Sequence, residues 1–195
     1  MTCGHLTVIC GGMFAGKTTE LLKRILWARN GLSKTVLVVK PAFDDRYHAT
    51  SVVSHDSLTV EAQAITSWKQ VSHLATDAEM IFLDEAQFFD VPHFEGNIIS
   101  VVSRLLRDDK DVIVACLDMD WRGRPFPVSA ALAAMADTVL KLKANCTWCG
   151  QAATKTHKKE PNEEELELGD ADLYEARCNT HWSYPAKTSI VKHHT

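Results

Sequence analysis

Five apolar runs of strand length mark the chain between residues 6 and 144: LTVIC (6–10), TVLVVK (35–40), MIFLD (80–84), DVIVACLD (111–118) and TVLKLKA (138–144). Segments of helical pattern fall between or after them, at 18–29, 67–75, 94–107 and 128–136. The runs are apolar almost throughout rather than strictly alternating, which predicts strands buried on both faces. Such strands separated by helices predict an α/β fold, a parallel sheet with helices on both sides. No internal repeat is visible.

The pattern changes after Lys143. A CxxC knuckle appears, followed by the acidic stretch KKEPNEEELELGDAD (158–172). That stretch has too few apolar residues for a core helix and by itself reads as a linker. It is bracketed by candidate metal ligands, which predicts a long loop tied at its base. The expected organisation is an α/β domain over 1–143, a small metal-binding domain over 144–185, and a flexible tail over 186–195.

Composition narrows the class. A chain of 195 residues suits one domain plus a small appendage. Hydrophobic residues at 46% and charged residues at 24% are ordinary globular values. The net charge of −4 argues against nucleic-acid binding through a broad basic surface. Residues 1–5 do not form a charged leader, and no apolar stretch reaches membrane-span length. A cytoplasmic protein with no membrane and no nucleic-acid partner is expected. The six cysteines agree with a reducing compartment. Cys3, Cys10 and Cys116 are scattered, the last two in predicted core strands, whereas Cys146, Cys149 and Cys178 cluster with His181. This is a metal site rather than a secreted disulfide framework.

Residues 11–18 read GGMFAGKT and fit G-x-x-x-x-G-K-[ST] at every fixed position. A strand precedes them and a helix follows. A glycine turn between strand and helix presents backbone N–H groups and a helix N-terminus to an anion. Gly11, Gly12, Met13, Phe14, Ala15 and Gly16 would cradle the phosphates of a nucleoside triphosphate. Lys17 would reach the terminal phosphates, and Thr18 would offer its hydroxyl to Mg²⁺. The bland alternative, a chance glycine turn, does not account for the agreement of strand, loop and helix.

A second motif supports the first. The strand MIFLD ends at Asp84–Glu85, where P-loop proteins aim a carboxylate at the metal. Asp84 is assigned to Mg²⁺ and Glu85 to a general base. The pair does not distinguish water from a substrate hydroxyl as the attacking group, so an ATPase and a small-molecule kinase could share it.

Cys146-x-x-Cys149 and Cys178-x-x-His181 are two matching halves with twenty-eight residues between them. Three thiolates and an imidazole suit tetrahedral Zn²⁺, and four protein ligands leave no open position, so the ion would be structural. A nucleic-acid-binding finger is disfavoured by the acidic loop inside it.

Two further segments follow strand ends, the edge where doubly wound sheets bind ligands. Asp44, Asp45 and Arg46 could serve metal and phosphate or form a solvated turn. In LDMDWRGRPFP (117–127), Trp121 beside arginines could stack on a base or simply pack. Phe88 and Phe89 suit a core more readily than a ligand.

In order along the chain, GGMFAGKTTE, DDR, IFLDEAQFF, LDMDWRGRPF, CTWC and GDADLYEARCNTH resemble the zinc-containing thymidine kinase family, over residues 4–182. The resemblance implies a P-loop, recombinase-like sheet with a small C-terminal zinc-binding lasso domain. It implies transfer of the ATP γ-phosphate to the 5′-hydroxyl of thymidine, with deoxyuridine as a second acceptor. Glu85 falls on the family's proton acceptor. Residues 11–18, with Asp84, Glu85, Ala86 and Gln87, fall on its ATP and Mg²⁺ segments. Asp44 and Arg46 fall near phosphates and metal. Met13, Phe88, Trp121 and Tyr174 fall on walls of the nucleoside pocket. Glu165, Leu166, Glu167, Leu168 and Gly169 fall on the lasso that meets the thymine edge. A homotetramer and feedback inhibition by dTTP are also implied. Three positions depart from the family's usual residues: Trp121 where phenylalanine is usual, Lys158 where arginine is frequent, and Asp170 where a second glycine is common.

Overall fold

The computed structural model describes residues 3–42, 51–53, 59–90, 94–160 and 171–183. Its centre is a six-stranded, wholly parallel sheet. In chain order its strands are β1 (Leu6–Gly11), β2 (Val36–Pro41), β5 (Gln63–Ile65), β6 (Met80–Leu83), β7 (Asp111–Leu117) and β8 (Thr138–Lys141). The short strands β3 (Ser51–Val53) and β4 (Thr59–Glu61) pair as an antiparallel hairpin outside it. The sheet order is β5-β2-β6-β7-β1-β8. One strand, β7, therefore separates the phosphate-loop strand from the carboxylate strand.

Both faces are covered, which explains why the strands read as continuous apolar runs. Leu6, Val8 and Cys10 of β1 join Val112, Val114 and Cys116 of β7 in one core. That core is closed by α2 (Trp68–Leu74), α3 (Ile98–Arg107) and α4 (Pro127–Met135) through Val71, Val102 and Leu132. Ile9, Phe82, Ile113 and Ala115 face the other side, against Leu21, Leu22 and Ile25 of α1 (Lys17–Asn30) and Val52 and Val60 of the hairpin. Phe82 is fully buried, and a side chain of that size contributes about 1.5–3 kcal/mol by leaving water.

The predicted elements are all present, with differences that have local causes. The third predicted helix begins at Ile98 rather than near 94. Gly96 has φ 109°, and the Asn97 side chain caps the helix by accepting from the Ser100 N–H at 3.0 Å. The last predicted strand stops at Lys141. The Leu142 N–H still bonds the Cys10 carbonyl, at 2.8 Å, before the chain leaves the sheet.

Beyond it lie two small antiparallel pairs. β9 (Ala144–Asn145) pairs with β10 (Ala152–Ala153), and β11 (Lys155–Lys158) pairs with β12 (Tyr174–Arg177). The acidic sequence 161–170 connects β11 to β12 and, like Asp44, Arg46, the lasso residues Glu165, Leu166, Glu167, Leu168 and Gly169, and the tail 186–195, lies outside the described residues. Among the described residues, no helix is long and apolar enough to cross a membrane.

Candidate active site and metal centre

Gly11 ends β1, Lys17 opens α1, and the turn between them has the geometry its glycines permit. Gly11 has φ 152°, and a Cβ there would lie 2.6 Å from the Leu142 carbonyl oxygen. Gly16 caps α1 with φ 76°, in the left-handed region that glycine enters without penalty. Gly16 offers no side chain to cap this helix end, the end at which backbone N–H groups can meet an anion. Lys17 Nζ donates to the Gly12 carbonyl at 2.9 Å, which holds the ammonium against the loop.

The carboxylate pair emerges at the same C-terminal edge. In register, β1 ends at Gly11 opposite Leu117, and β6 ends at Leu83 opposite Val114. Asp84 is buried, and its N–H donates to the Val39 carbonyl at 3.0 Å. The Glu85 N–H donates to Asp84 Oδ1 at 3.0 Å, and Glu85 itself takes φ 50°, ψ 42°. A left-handed glutamate costs about 1–3 kcal/mol and persists only where its surroundings impose it. Gln87 is part of that surrounding. It lies in the 3₁₀ turn Ala86–Phe88, donates from Nε2 to Glu85 Oε2, and accepts the Leu117 N–H at Oε1, 2.9 Å away. Ala86 and Phe88 are buried beside it. Phe89 turns into an aromatic trio with Trp68 and Phe94.

The loop after β7 is built on Asp120. Its Oδ1 accepts from the Arg122 and Arg124 N–H groups at 2.9 and 2.8 Å. This Asx-type turn is completed by Gly123 at φ 76°. Trp121 is buried, with the Arg122 guanidinium 4.5 Å from its ring centre. Lys158 is 2% exposed, and its Nζ lies 5.8 Å from the Trp121 ring and 5.9 Å from the Tyr174 ring. The two aromatic residues that the family resemblance puts on the nucleoside pocket therefore flank one ammonium.

Cys146, Cys149, Cys178 and His181 converge, with all donor atoms within 4.8 Å of one another. Cys149 Sγ is 3.7 Å from Cys178 Sγ. His181 Nδ1 is 3.2 Å from Cys178 Sγ and 3.8 Å from Cys146 Sγ. Tetrahedral bonds of about 2.3 Å to sulfur and 2.0–2.1 Å to nitrogen would set such atoms roughly 3.5–3.8 Å apart, so the residues fit Zn²⁺. Two of the three thiols are held toward the thiolate form, while Cys149 is raised. Burial pushes the Cys146 thiol up, but N–H groups of Cys178, Trp148 and Cys149 outweigh it and bring it down to about 6. Cys178 is lowered as well, with the N–H groups of His181 and Thr180 overcoming burial. By contrast, burial drives Cys116 up to about 12 and also raises Cys10, as suits inert core thiols.

The metal module packs on the phosphate loop. Phe14 and Ala15 lie against Ala144, Cys146, Ala153, Ala176 and Cys178. The Met13 N–H donates to Thr156 Oγ1 at 3.0 Å. Trp182, next to the last ligand, donates from Nε1 to the Thr156 carbonyl at 3.2 Å and meets Gly123, where a Cβ would lie 2.8 Å from its ring. Thr156 and Trp182 did not stand out in the sequence. The available signal was the alternation of β11, whose buried positions are Thr156 and Lys158. A strand with polar inward positions faces a loop or ligand rather than an apolar core.

Fold and site define a P-loop nucleotide-binding α/β protein that carries a Cys₃His metal module. The thymidine kinase family model matches residues 4–182, and the chain belongs to the thymidine kinase family. It is 41% identical over 191 residues to the thymidine kinase of Coprothermobacter proteolyticus, covering 95% of this chain and 93% of that protein. It is 40% identical over 186 residues to that of a Rhodothermus species, covering 95% and 84%. For the Bacteroides fragilis enzyme the identity is 39% over 175 residues, covering 90% and 85%.

Proposed function

We propose that the chain is a thymidine kinase, transferring the γ-phosphoryl group of ATP to the 5′-hydroxyl of thymidine to give dTMP and ADP in nucleotide salvage. The observation that carries this reading is the P-loop and the Asp84–Glu85 pair at one sheet edge, in a chain of this family. Loop N–H groups and Lys17 hold the phosphates. Thr18 and Asp84 would hold Mg²⁺, with Asp44 and Arg46 contributing to metal and phosphates; the ion would neutralise charge on the β- and γ-phosphates. Glu85 accepts the proton of the 5′-hydroxyl as its oxygen bonds to the γ-phosphorus and the bond to the β-phosphate oxygen breaks. Gln87 holds the Glu85 carboxylate toward β7.

Met13, Phe88, Trp121 and Tyr174 wall the nucleoside, and residues 165–169 meet the thymine edge from the segment between β11 and β12. Deoxyuridine fits the same reading. Cys146, Cys149, Cys178 and His181 would hold Zn²⁺ as a structural ion, and a segment tied at its base would lose less entropy on ordering over the nucleoside. The domain limits 1–143 and 144–185, a homotetramer, dTTP feedback and a cytoplasmic location belong to the same reading. The test is incubation of the zinc-loaded protein with γ-labelled ATP and single nucleosides. Label in dTMP supports it, whereas label released only as inorganic phosphate favours an ATPase.

A further inference from the structure

The phosphate loop has two sides. One faces the sheet edge, and the other is pressed on the metal module. On that second side Phe14 stands out. Its φ is 64°, a left-handed conformation that a bulky L-residue adopts only when its surroundings impose it. Its side chain is partly buried and packs on the cluster formed by Ala144, Cys146, Ala153, Ala176 and Cys178, which includes two of the candidate metal ligands.

The backbone on either side is fixed to the same elements. The Met13 N–H is taken by Thr156 Oγ1 at 3.0 Å. Gly12 abuts β11 so closely that a Cβ would lie 3.3 Å from Thr156 Oγ1 and 3.6 Å from the Lys155 carbonyl carbon. Gly11 abuts the chain entering the module, with the Leu142 oxygen 2.6 Å from a Cβ placed there. Four consecutive residues of the anion-binding loop, 11–14, thus lie against the chain between Leu142 and Cys178.

We propose that Phe14 is a positioning residue that couples metal occupancy to ATP affinity. An anion is bound by N–H groups only when they converge, so a loop held in shape binds more tightly than one that must be ordered. Filling the Cys₃His site fixes Cys146 and Cys178. Those residues form part of the surface on which Phe14 rests, and Phe14 in turn keeps the loop in its left-handed turn. Metal and ATP then bind cooperatively although neither contacts the other, and by linkage the coupling is reciprocal. The inference rests on the reading that residues 11–18 bind ATP and that the module holds Zn²⁺. It adds that the module serves the donor substrate as well as the nucleoside.

The test is a four-way cycle by calorimetry: ATP binding without thymidine, to wild type and Phe14→Ala, each zinc-loaded and after chelation with zinc content measured. The coupling predicts that zinc removal weakens ATP binding to wild type about tenfold, within the usual range of coupling between sites. Phe14→Ala should lose a similar factor while zinc-loaded, and chelation should then add less than about twofold. In steady state, zinc-loaded Phe14→Ala should raise KM for ATP and leave KM for thymidine unchanged. Phe14→Leu, which keeps an apolar side chain, should recover most of the loss.

If chelation unfolds the chain, zinc-loaded Phe14→Ala and Phe14→Leu decide the question. Loss in the first and recovery in the second uphold the role, and equal ATP affinity in both overturns it. ATP binding that is strong in wild type yet indifferent to zinc and to Phe14 overturns the inference and leaves the kinase reading intact. Failure of zinc-loaded wild type to bind ATP overturns the underlying reading instead.

Discussion

Gln87 donates its side-chain N–H to the carboxylate of Glu85 while its carbonyl oxygen accepts the N–H of Leu117, at 2.9 Å. One buried amide thus fixes the proposed base relative to the strand that separates the phosphate loop from the carboxylates. Gln87→Leu removes both contacts while putting an apolar side chain of similar size in their place. It should lower kcat roughly 10- to 100-fold through misplacement of Glu85 and change KM for ATP little. Glu85→Gln should cost more, about 10²–10⁴-fold in kcat, with ATP binding retained. Steady-state kinetics with calorimetry checks both, and a Gln87→Leu enzyme of normal kcat contradicts the positioning role.

Trp121 offers a large face in the loop after β7, beside Arg122 and Lys158. If it walls the base, Trp121→Ala should raise KM for thymidine by about 1–3 kcal/mol of lost stacking, roughly 5- to 150-fold, with KM for ATP unchanged. Trp121→Phe should retain most of the affinity. An equal rise in both KM values would assign Trp121 to general packing.

Gly123 sits at φ 76° directly beneath Trp182, where a Cβ would meet the ring at 2.8 Å. Gly123→Ala adds both backbone strain and a clash. It should destabilise the fold by about 1–3 kcal/mol, visible as a lower midpoint in urea. Protease sensitivity should rise first near β11 and β12, because Trp182 is bonded to Thr156.

Acid should weaken the same hairpin. Burial alone would raise the Glu175 carboxyl, but the Arg177 guanidinium and the Thr147 hydroxyl outweigh it and hold the group below its ordinary value. A depressed folded pKa gives stability that is full above the unfolded value, about 4.3, and is lost as pH falls through the folded value. Across the strand pair, burial and Arg177 lower His157 too, so its contribution is full above about 6.5 and fades below it. The stability gap between wild type and Glu175→Gln should therefore be widest above about pH 5 and close toward pH 3, as measured by denaturant melts across that range. A gap that widens in acid contradicts the assignment.

Much of this was legible in the chain because local rules carry it. Apolar runs gave the main strands, and the glycines of 11–18 and the paired Cys-x-x halves each announce a local geometry. What escaped is tertiary. β5 is three residues long, too short for periodicity to register. Thr156 meets Met13 across 143 positions, and Gln87 meets Leu117 across 30, so nothing near either residue signals the partner. Lys158 was legible as a departure from the family, but its burial between Trp121 and Tyr174 was not. Phe14 was readable as a bulky residue in a phosphate loop. That it rests on the metal module follows only from how β9 to β12 return to β1.

The central claim is phosphoryl transfer from the P-loop to a nucleoside activated by Glu85. The most direct measurement follows the label from γ-labelled ATP with zinc-loaded protein, Mg²⁺ and thymidine, for wild type and Glu85→Gln. The account predicts label in dTMP with wild type, and at most a trace with the variant despite normal ATP binding. Label appearing only as inorganic phosphate, or undiminished dTMP formation by Glu85→Gln, would contradict it.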